Sequence, residues 1–476
     1  MHRIAAIPGD ASDGNLEYVE QPTAPVIFLS SASSDISSLA NALRELPRCT
    51  LRNQIRALSL ETLIHPSQID HYIATTASKA KLIIIRIIGS KGHWQYGIEK
   101  FLSWQIELND RKLLLISGLG MEENYLEDLN NVQPKVTKLI SSLLREGGSY
   151  NYKLFIKCIS SILDNKSIKL ESFKVQKKKE PTKFNWINQE GQKVGVLFYT
   201  SLAFGKNLEF LEQLQASMRN KELNPRILLI TSLRETRIAN EVLKIFKREN
   251  VHAVATCTSF SSITGEEWYI KSIWDKLDVP VIQLITSSNK KKVWEESSIG
   301  LDYLDLSMQV VLPEFDGRIT SRPCAFKETI GSDSELSTSI KYYKSYKYGL
   351  DWVSSHLKYW IDLRLTDRRN KKVTIIIANY PDKNSRMANG VGLDTPKSII
   401  VLLNKLKLEG YYLGEKNIPQ SSKQFIDLLV STRTNDIENQ NKVPLDYISI
   451  IDYLKFWEDI PLCSRQKIVD RWNEAS

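Results

Sequence analysis

Cysteine is scarce in this chain and never closely spaced: Cys49, Cys158, Cys257, Cys324 and Cys463 include no C-x-x-C. That spacing argues against a disulfide framework or a zinc knuckle and fits a reducing compartment, the cytoplasm. Long apolar runs are missing too. The longest, Leu82 to Ile88, is broken by Arg86 and falls well short of the roughly 20 residues a membrane helix needs. No secretory leader is expected, because Met1 to Ile7 turns polar at Pro8-Gly9-Asp10. The sequence has no G-x-x-x-x-G-K-S/T phosphate loop, no G-x-G-x-x-G after a strand, no H-E-x-x-H and no G-x-S-x-G. Any ATP hydrolysis tied to this chain is therefore expected from another subunit.

What is present is ordinary globular material. Hydrophobic residues make up 42% and charged residues 25% of the 476, enough for about two to four domains. The net charge of +9 gathers at Lys177-Lys178-Lys179, Lys290-Lys291-Lys292 and Arg368-Arg369-Asn370-Lys371-Lys372. These runs read as solvated loops. They are not interleaved with aromatics and carry no recognised motif, so no nucleic-acid partner is expected.

Short apolar strands alternate with amphipathic helices along the chain. Strands are expected at 25–29, 55–58, 82–88 and 112–118, with helices after Ser34 and near 66–73, 98–106, 132–144 and 152–163. A Lys-rich linker is expected over 171–190. A second unit over 191–335 has strands at 194–199, 226–231, 251–255 and 279–285. The expected fold is α/β, with two or more doubly wound, mostly parallel-sheet domains and additional helical segments. The domains are read as 1–170, 191–335 and 336–476. The last opens with a long aromatic helix over about 340–364 and continues into a strand at Val373–Ala378.

That strand leads into the stretch with the most chemistry. Residues Asn379 to Thr395 form a loop of about seventeen residues, against the usual two to six between a strand and a helix. Thr395 is expected to cap the following helix, with Pro396 in its first turn. Asn379 and Asn389 donate and accept, Arg386 can grip a carboxylate bidentately, and Gly390 and Gly392 allow close backbone approach to a flat ligand. The helix N-terminus offers N–H groups to an anion. Glu314 and Asp316, on either side of Phe315, are weaker metal-ligand candidates. His93 lies in the Gly89–Gly97 loop beside Trp94 and Tyr96.

The order of residues in Asn379-Tyr380-Pro381 … Arg386-Met387-Ala388-Asn389-Gly390-Val391-Gly392-Leu393-Asp394-Thr395-Pro396 resembles the signature of the cobaltochelatase large subunit, shared with the magnesium chelatase large subunit. Val19-Glu20-Gln21-Pro22, Arg86-Ile87-Ile88-Gly89 … Gly92-His93-Trp94, Ser232-Leu233-Arg234 and Pro313-Glu314-Phe315-Asp316-Gly317 look like the cobalt enzyme in the same order. The resemblance implies insertion of Co(II), the substrate metal, into hydrogenobyrinic acid a,c-diamide on the route to cobalamin. It implies AAA+ motor subunits that hydrolyse ATP with Mg(II), and a tetrapyrrole held by Asn379, Tyr380, Arg386, Asn389, Gly390, Gly392, Asp394, Thr395 and His93. Such large subunits are longer, so the chain is expected to match an N-terminal portion, truncated within the pattern. Two other readings stay open here: a non-catalytic tetrapyrrole-binding or assembly fragment, and a magnesium chelatase large subunit acting on protoporphyrin IX.

Overall fold

A computed structural model describes residues 17–473 except 47–50, 88–93, 119–125, 127, 188, 205–207, 260–271, 379–386, 416 and 435, and the side chain of 204. The chain divides into two compact units, Met1–Asp362 and Leu363–Ser476.

The first unit holds two sheets. In the first sheet, β1 (Val26–Ser30), β2 (Ile55–Ser59), β3 (Leu82–Ile87) and β4 (Lys112–Ser117) run parallel in the order β2-β1-β3-β4. Alternate residues of β1 face opposite cores. Val26 and Phe28 pack with helices α1 (Ser33–Arg44), α4 (Pro134–Glu146) and α5 (Gly148–Leu163). Ile27 and Leu29 pack with α2 (Pro66–Ala74) and α3 (Gln95–Ile106), against Tyr72, Phe101 and Trp104. Both faces are covered, which is why these strands read as continuous apolar runs rather than alternating ones.

The second sheet has seven strands in the order β11-β10-β9-β8-β6-β7-β5. Its centre is parallel: β6 (Gln192–Tyr199), β7 (Leu223–Ile230), β8 (Ala253–Thr256) and β9 (Val281–Ser287), extended by β10 (Ile319–Asp333). Both edges are antiparallel, β5 (Thr182–Phe184) on β7 and β11 (Thr338–Ser345) on β10. Helices α6 (Glu209–Arg219) and α8 (Lys347–Leu365) cover one face, and α7 (Thr236–Glu249) covers the other. The expected α/β class with doubly wound, mostly parallel sheets and added helices is what the chain forms.

Four expectations need correction. The helix expected over 340–364 starts at Lys347, because Thr338–Ser345 is strand β11. The boundary expected between 335 and 336 therefore falls inside a hairpin. Its tip reaches the first sheet: Leu336 joins that core, its carbonyl accepts from Ala57 N (3.3 Å), and Arg44 pairs with Asp333 at 2.6 Å. The 171–190 stretch also contributes β5 to the second sheet. Finally, Val373–Ala378 makes no ladder; Ile376 is exposed and only Ile377 packs inward. A β-branched run forms a strand only where another strand can pair with it.

In the second unit, α9 (Thr395–Leu408) packs against α10 (Ser422–Val430) through Ile399, Ile400 and Phe425, and α11 (Ile450–Asp459) and α12 (Leu462–Trp472) follow.

Candidate functional site

Asn379, Tyr380, Arg386 and His93 lie outside the described residues. The remainder of the loop is compact. Ala388 N donates to Ala378 O at 3.0 Å and closes the base of the loop. Leu393 N donates to Gly390 O at 3.0 Å, making a β-turn with Val391 and Gly392 at its centre. Gly392 has φ +74°, the left-handed conformation that this turn position demands and glycine adopts without strain. Val391 is fully exposed at the tip. At Gly390 the reason for glycine is space: a Cβ there would stand 3.1 Å from Thr395 Oγ1.

The helix cap is one residue earlier than expected. Asp394 accepts from Lys397 N at 3.0 Å, and Thr395 is the first residue of α9 with Pro396 behind it. The Asp394 carboxylate thus occupies the position at the helix N-terminus that an anionic ligand was expected to take. Asp394→Ala is expected to cost about 1 kcal/mol, as losing a cap usually does. Faster amide exchange over 395–408 would report it.

Along α9 the structure adds a feature that the sequence reading missed. A shallow groove of about 1150 Å³, widely open to solvent, runs between α9 and the segment Asn417–Leu428. Ile400, Val401, Ile418 and Leu428 supply its apolar walls, and Lys397, Asn404, Lys405 and Gln424 supply polar groups. Residues 397, 400, 401, 404, 405 and 408 recur at the spacing of a single helix face. That period was the available signal. It was masked because lysine and isoleucine share the stripe.

A second polar centre sits at the carboxyl ends of the first sheet, where open α/β sheets place their ligand sites. Asp35, nearly buried at the start of α1, receives Ser30 Oγ (2.5 Å), Arg86 Nη1 (2.6 Å) and the Tyr152 hydroxyl (2.8 Å). Burial opposes the Arg86 charge, but Asp35 and Tyr152 more than offset it and hold its pKa above the usual value. Burial, more than the charge of Asp35, raises the Tyr152 pKa. The arginine that interrupts the apolar run at Leu82–Ile88 was the sequence's sign of this buried pair.

Lys178 lies close to the same groups. Burial lowers its amine from 10.5 to about 8, against the opposing pull of Glu180, Glu146 and Asp35. Glu180 in turn accepts from Thr231 N (3.0 Å) and Thr200 Oγ1 (3.2 Å), at the carboxyl ends of β7 and β6. The 171–190 segment therefore crosses the ends of both sheets. A lysine whose folded pKa lies below its unfolded one disfavours the fold while protonated in both states, below about pH 8. That stability is regained as pH rises from about 8 towards 10.5. The unfolding free energy of wild type relative to Lys178→Met should therefore increase across that interval in urea titrations. A pH-independent difference would contradict the burial of this amine.

Glu314 and Asp316 do not converge on a metal position. Asp316 points inward, where Arg318 Nη2 donates to it at 2.7 Å with both side chains fully buried. Trp274 Nε1 lies 3.4 Å from the same oxygen. Glu314 is exposed and accepts from Thr320 Oγ1 at 2.6 Å. Arg318 continues to Thr258 O (2.6 Å) and Gln283 Oε1 (3.0 Å), so the motif ties the start of β10 to β8 and β9. Among the described residues no group of three His, Cys, Asp or Glu could hold a metal ion. No described helix is long and apolar enough to cross a membrane.

Comparison with known proteins places these features in a family context. The family model described as CobN/Magnesium Chelatase matches residues 141–476. The aerobic cobaltochelatase subunit CobN of Pseudomonas aeruginosa is 27% identical over 489 residues, taking in 100% of this chain and 38% of that one. The chloroplastic magnesium-chelatase subunit ChlH of Oryza sativa subsp. indica is 24% identical over 196 residues, covering 40% of this chain and 13% of that one. Among solved structures, the catalytic subunit of cobaltochelatase from Mycobacterium tuberculosis shares the fold. Its TM-score is 0.55 at 21% identity, over 95% of this chain and 36% of that chain.

Proposed function

The chain belongs to the CobN/magnesium chelatase family, and on that basis we propose that it forms the macrocycle-binding part of a cobaltochelatase. The assembled enzyme inserts Co(II) into hydrogenobyrinic acid a,c-diamide for cobalamin synthesis. The observation that carries the choice of metal branch is coverage. Similarity to the cobalt subunit of Pseudomonas aeruginosa runs along 100% of the chain, and similarity to the rice magnesium subunit along 40%.

This chain spans 38% of the length of the former. Turnover is accordingly proposed for the complete assembly and ligand binding for this chain. AAA+ motor subunits hydrolyse ATP with Mg(II), and the chain works in the cytoplasm, where its free thiols Cys158, Cys257, Cys324 and Cys463 stay reduced.

The chemistry of the second unit supports the reading. A corrin precursor is a flat apolar ring edged with carboxylates and amides. The α9 groove offers apolar walls edged by Lys397, Asn404, Lys405 and Gln424, and the adjoining loop carries Arg386, Asn379, Tyr380 and Asn389. Arg386 would pair with a peripheral carboxylate, and the two glycines would let the loop backbone lie against the ring. Metal insertion also needs a base for the ring N–H protons. A carboxylate or imidazole held at the macrocycle serves that role.

Arg386→Ala should weaken binding of the corrin precursor about ten- to a hundredfold in absorbance titrations, the loss expected for a charge-assisted hydrogen bond. Unchanged binding would make the loop structural. The function itself is tested by combining the chain with the rest of a large subunit, the motor subunits, Mg-ATP, Co(II) and the diamide. Formation of the cobalt corrin is the predicted result. Its absence, or insertion of Mg(II) into protoporphyrin IX instead, would overturn the assignment.

A further inference from the structure

Both sheets of the first unit reverse their strand order at the first parallel strand. In one, β1 has β2 on one side and β3 on the other; in the second, β6 has β7 on one side and β8 on the other. Such a reversal opens a crevice beyond the carboxyl ends of the strands, and open α/β sheets place ligands there. Here the segments that follow the two reversals meet. The helical turn Thr200–Phe204, which follows β6, packs against α1, which follows β1. A small cleft beside this contact is lined by Ser33, Ser34 and Ser37 of α1, Leu202 of the turn, and Lys327 and Lys341 of the β10–β11 hairpin.

Charge in the cleft is unbalanced. Lys327 is buried and pairs with Glu61 at 2.8 Å. Lys341 is half-buried and makes no ion pair or side-chain hydrogen bond among the described residues. Burial lowers its pKa; Glu61 opposes the shift, and the like charges of Lys327 and Lys290 add to it. Of the charges acting on Lys341, one is therefore negative and two are positive. Ser37 Oγ donates to the carbonyls of Ser33 and Ser34 at 3.2 Å each, whereas the Ser33 and Ser34 hydroxyls make no hydrogen bond among the described residues.

We propose that this cleft binds the phosphoryl group of a small phosphate ligand, with the Lys341 ammonium and the hydroxyls of Ser33 and Ser34 as its contacts. Lysine serves phosphate as a point charge, whereas the planar recognition of a carboxylate favours arginine. The cleft has about 10 Å³ of free space, room for about one oxygen atom. One phosphoryl oxygen therefore enters, and the rest of the group stays at the mouth. The inference does not depend on which metal or macrocycle the second unit handles.

Calorimetric titration of the full chain at fixed chloride tests it, with inorganic phosphate and glycerol phosphate as the probes. Saturable binding at one site is the expected result; binding of the ester alone would mark a phosphate monoester as the ligand, and binding of both a free phosphoryl group. Lys341→Met should weaken binding about tenfold or more, the loss usual for a charge-assisted hydrogen bond. Glu61→Gln should tighten it, because the one negative charge acting on Lys341 is gone. Lys344→Met, three residues along the same strand and exposed, should change nothing. Urea unfolding without phosphate controls for folding: Lys341→Met should be at least as stable as wild type, since it removes a like charge, and a loss of stability would make the lysine structural. No saturable binding of either probe, undiminished binding by Lys341→Met, or an equal loss in Lys344→Met, which marks general attraction to a basic surface, would overturn the proposal.

Discussion

Asp35→Ala is expected to destabilise the first unit by about 3–5 kcal/mol, the usual result of removing one partner of a buried ion pair. The carboxylate accepts from Ser30, Arg86 and Tyr152 at 2.5–2.8 Å, and the Arg86 side chain is 11% exposed. Alanine would leave a guanidinium buried at the end of β3 with its counter-charge gone and would free a tyrosine hydroxyl inside the core. The three groups come from β1, β3 and α5, so the damage would not stay local. Denaturant unfolding measures the loss, and near-ultraviolet signals from Tyr152 localise it. Removing the arginine as well, in Asp35→Ala/Arg86→Met, should recover part of the stability, because the isolated charge is the costly element. A loss below about 1 kcal/mol would mean that water reaches the pair and screens it.

The second large effect separates two neighbours that look alike in sequence. Asp316→Ala should cost about 3–5 kcal/mol, since Arg318 is fully buried and pairs with this carboxylate at 2.7 Å. Glu314→Ala should stay within about 0.5 kcal/mol, as surface substitutions do, because its side chain is exposed and its contact is to Thr320. Co(II) binding by the chain, followed by calorimetry, should be the same in Glu314→Ala as in wild type. A large loss of Co(II) affinity in that variant would restore the metal reading of the Pro313-Glu314-Phe315-Asp316-Gly317 motif. The physical expectation is otherwise: a carboxylate already paired to a buried arginine is a poor metal ligand.

Much of the fold was readable because burial on both faces leaves a simple mark. Val26–Ser30, Leu82–Ile87 and Lys112–Ser117 are short runs of large apolar residues between helices with one apolar stripe, and each strand was placed within a residue or so of where it forms. The β10–β11 hairpin was unreadable for the opposite reason. Ile319–Asp333 is polar and carries Pro323 and Gly331, and its register shifts around Pro323 and again before Gly331. Its partner's run of tyrosines mimics a helical aromatic stripe, although Tyr343 packs on the second sheet and Ile340 on the first core. Chain-distant contacts decide such a segment, and a local pattern does not contain them.

The candidate site divides along the same line. The turn glycines and the cap next to Pro396 follow from local backbone rules, with the cap at Asp394, one residue before Thr395. The α9 groove hides in a helix stripe that mixes lysine with isoleucine, and the Asp35–Arg86–Tyr152 centre depends on residues far apart in sequence. Arg86, which breaks the Leu82–Ile88 run, is the outward mark of that centre in the sequence. Lys178, in a segment read as a solvated linker, is partly buried where that segment crosses the ends of two sheets.

On the proposed function this chain binds a corrin-type tetrapyrrole through its second unit. The most direct measurement is a parallel absorbance titration of the purified chain with hydrogenobyrinic acid a,c-diamide and with protoporphyrin IX, repeated with Arg386→Ala. Saturable binding of the corrin precursor is expected, tighter than that of the porphyrin and weakened by the substitution. No saturable binding, or a preference for protoporphyrin indifferent to Arg386, would contradict it.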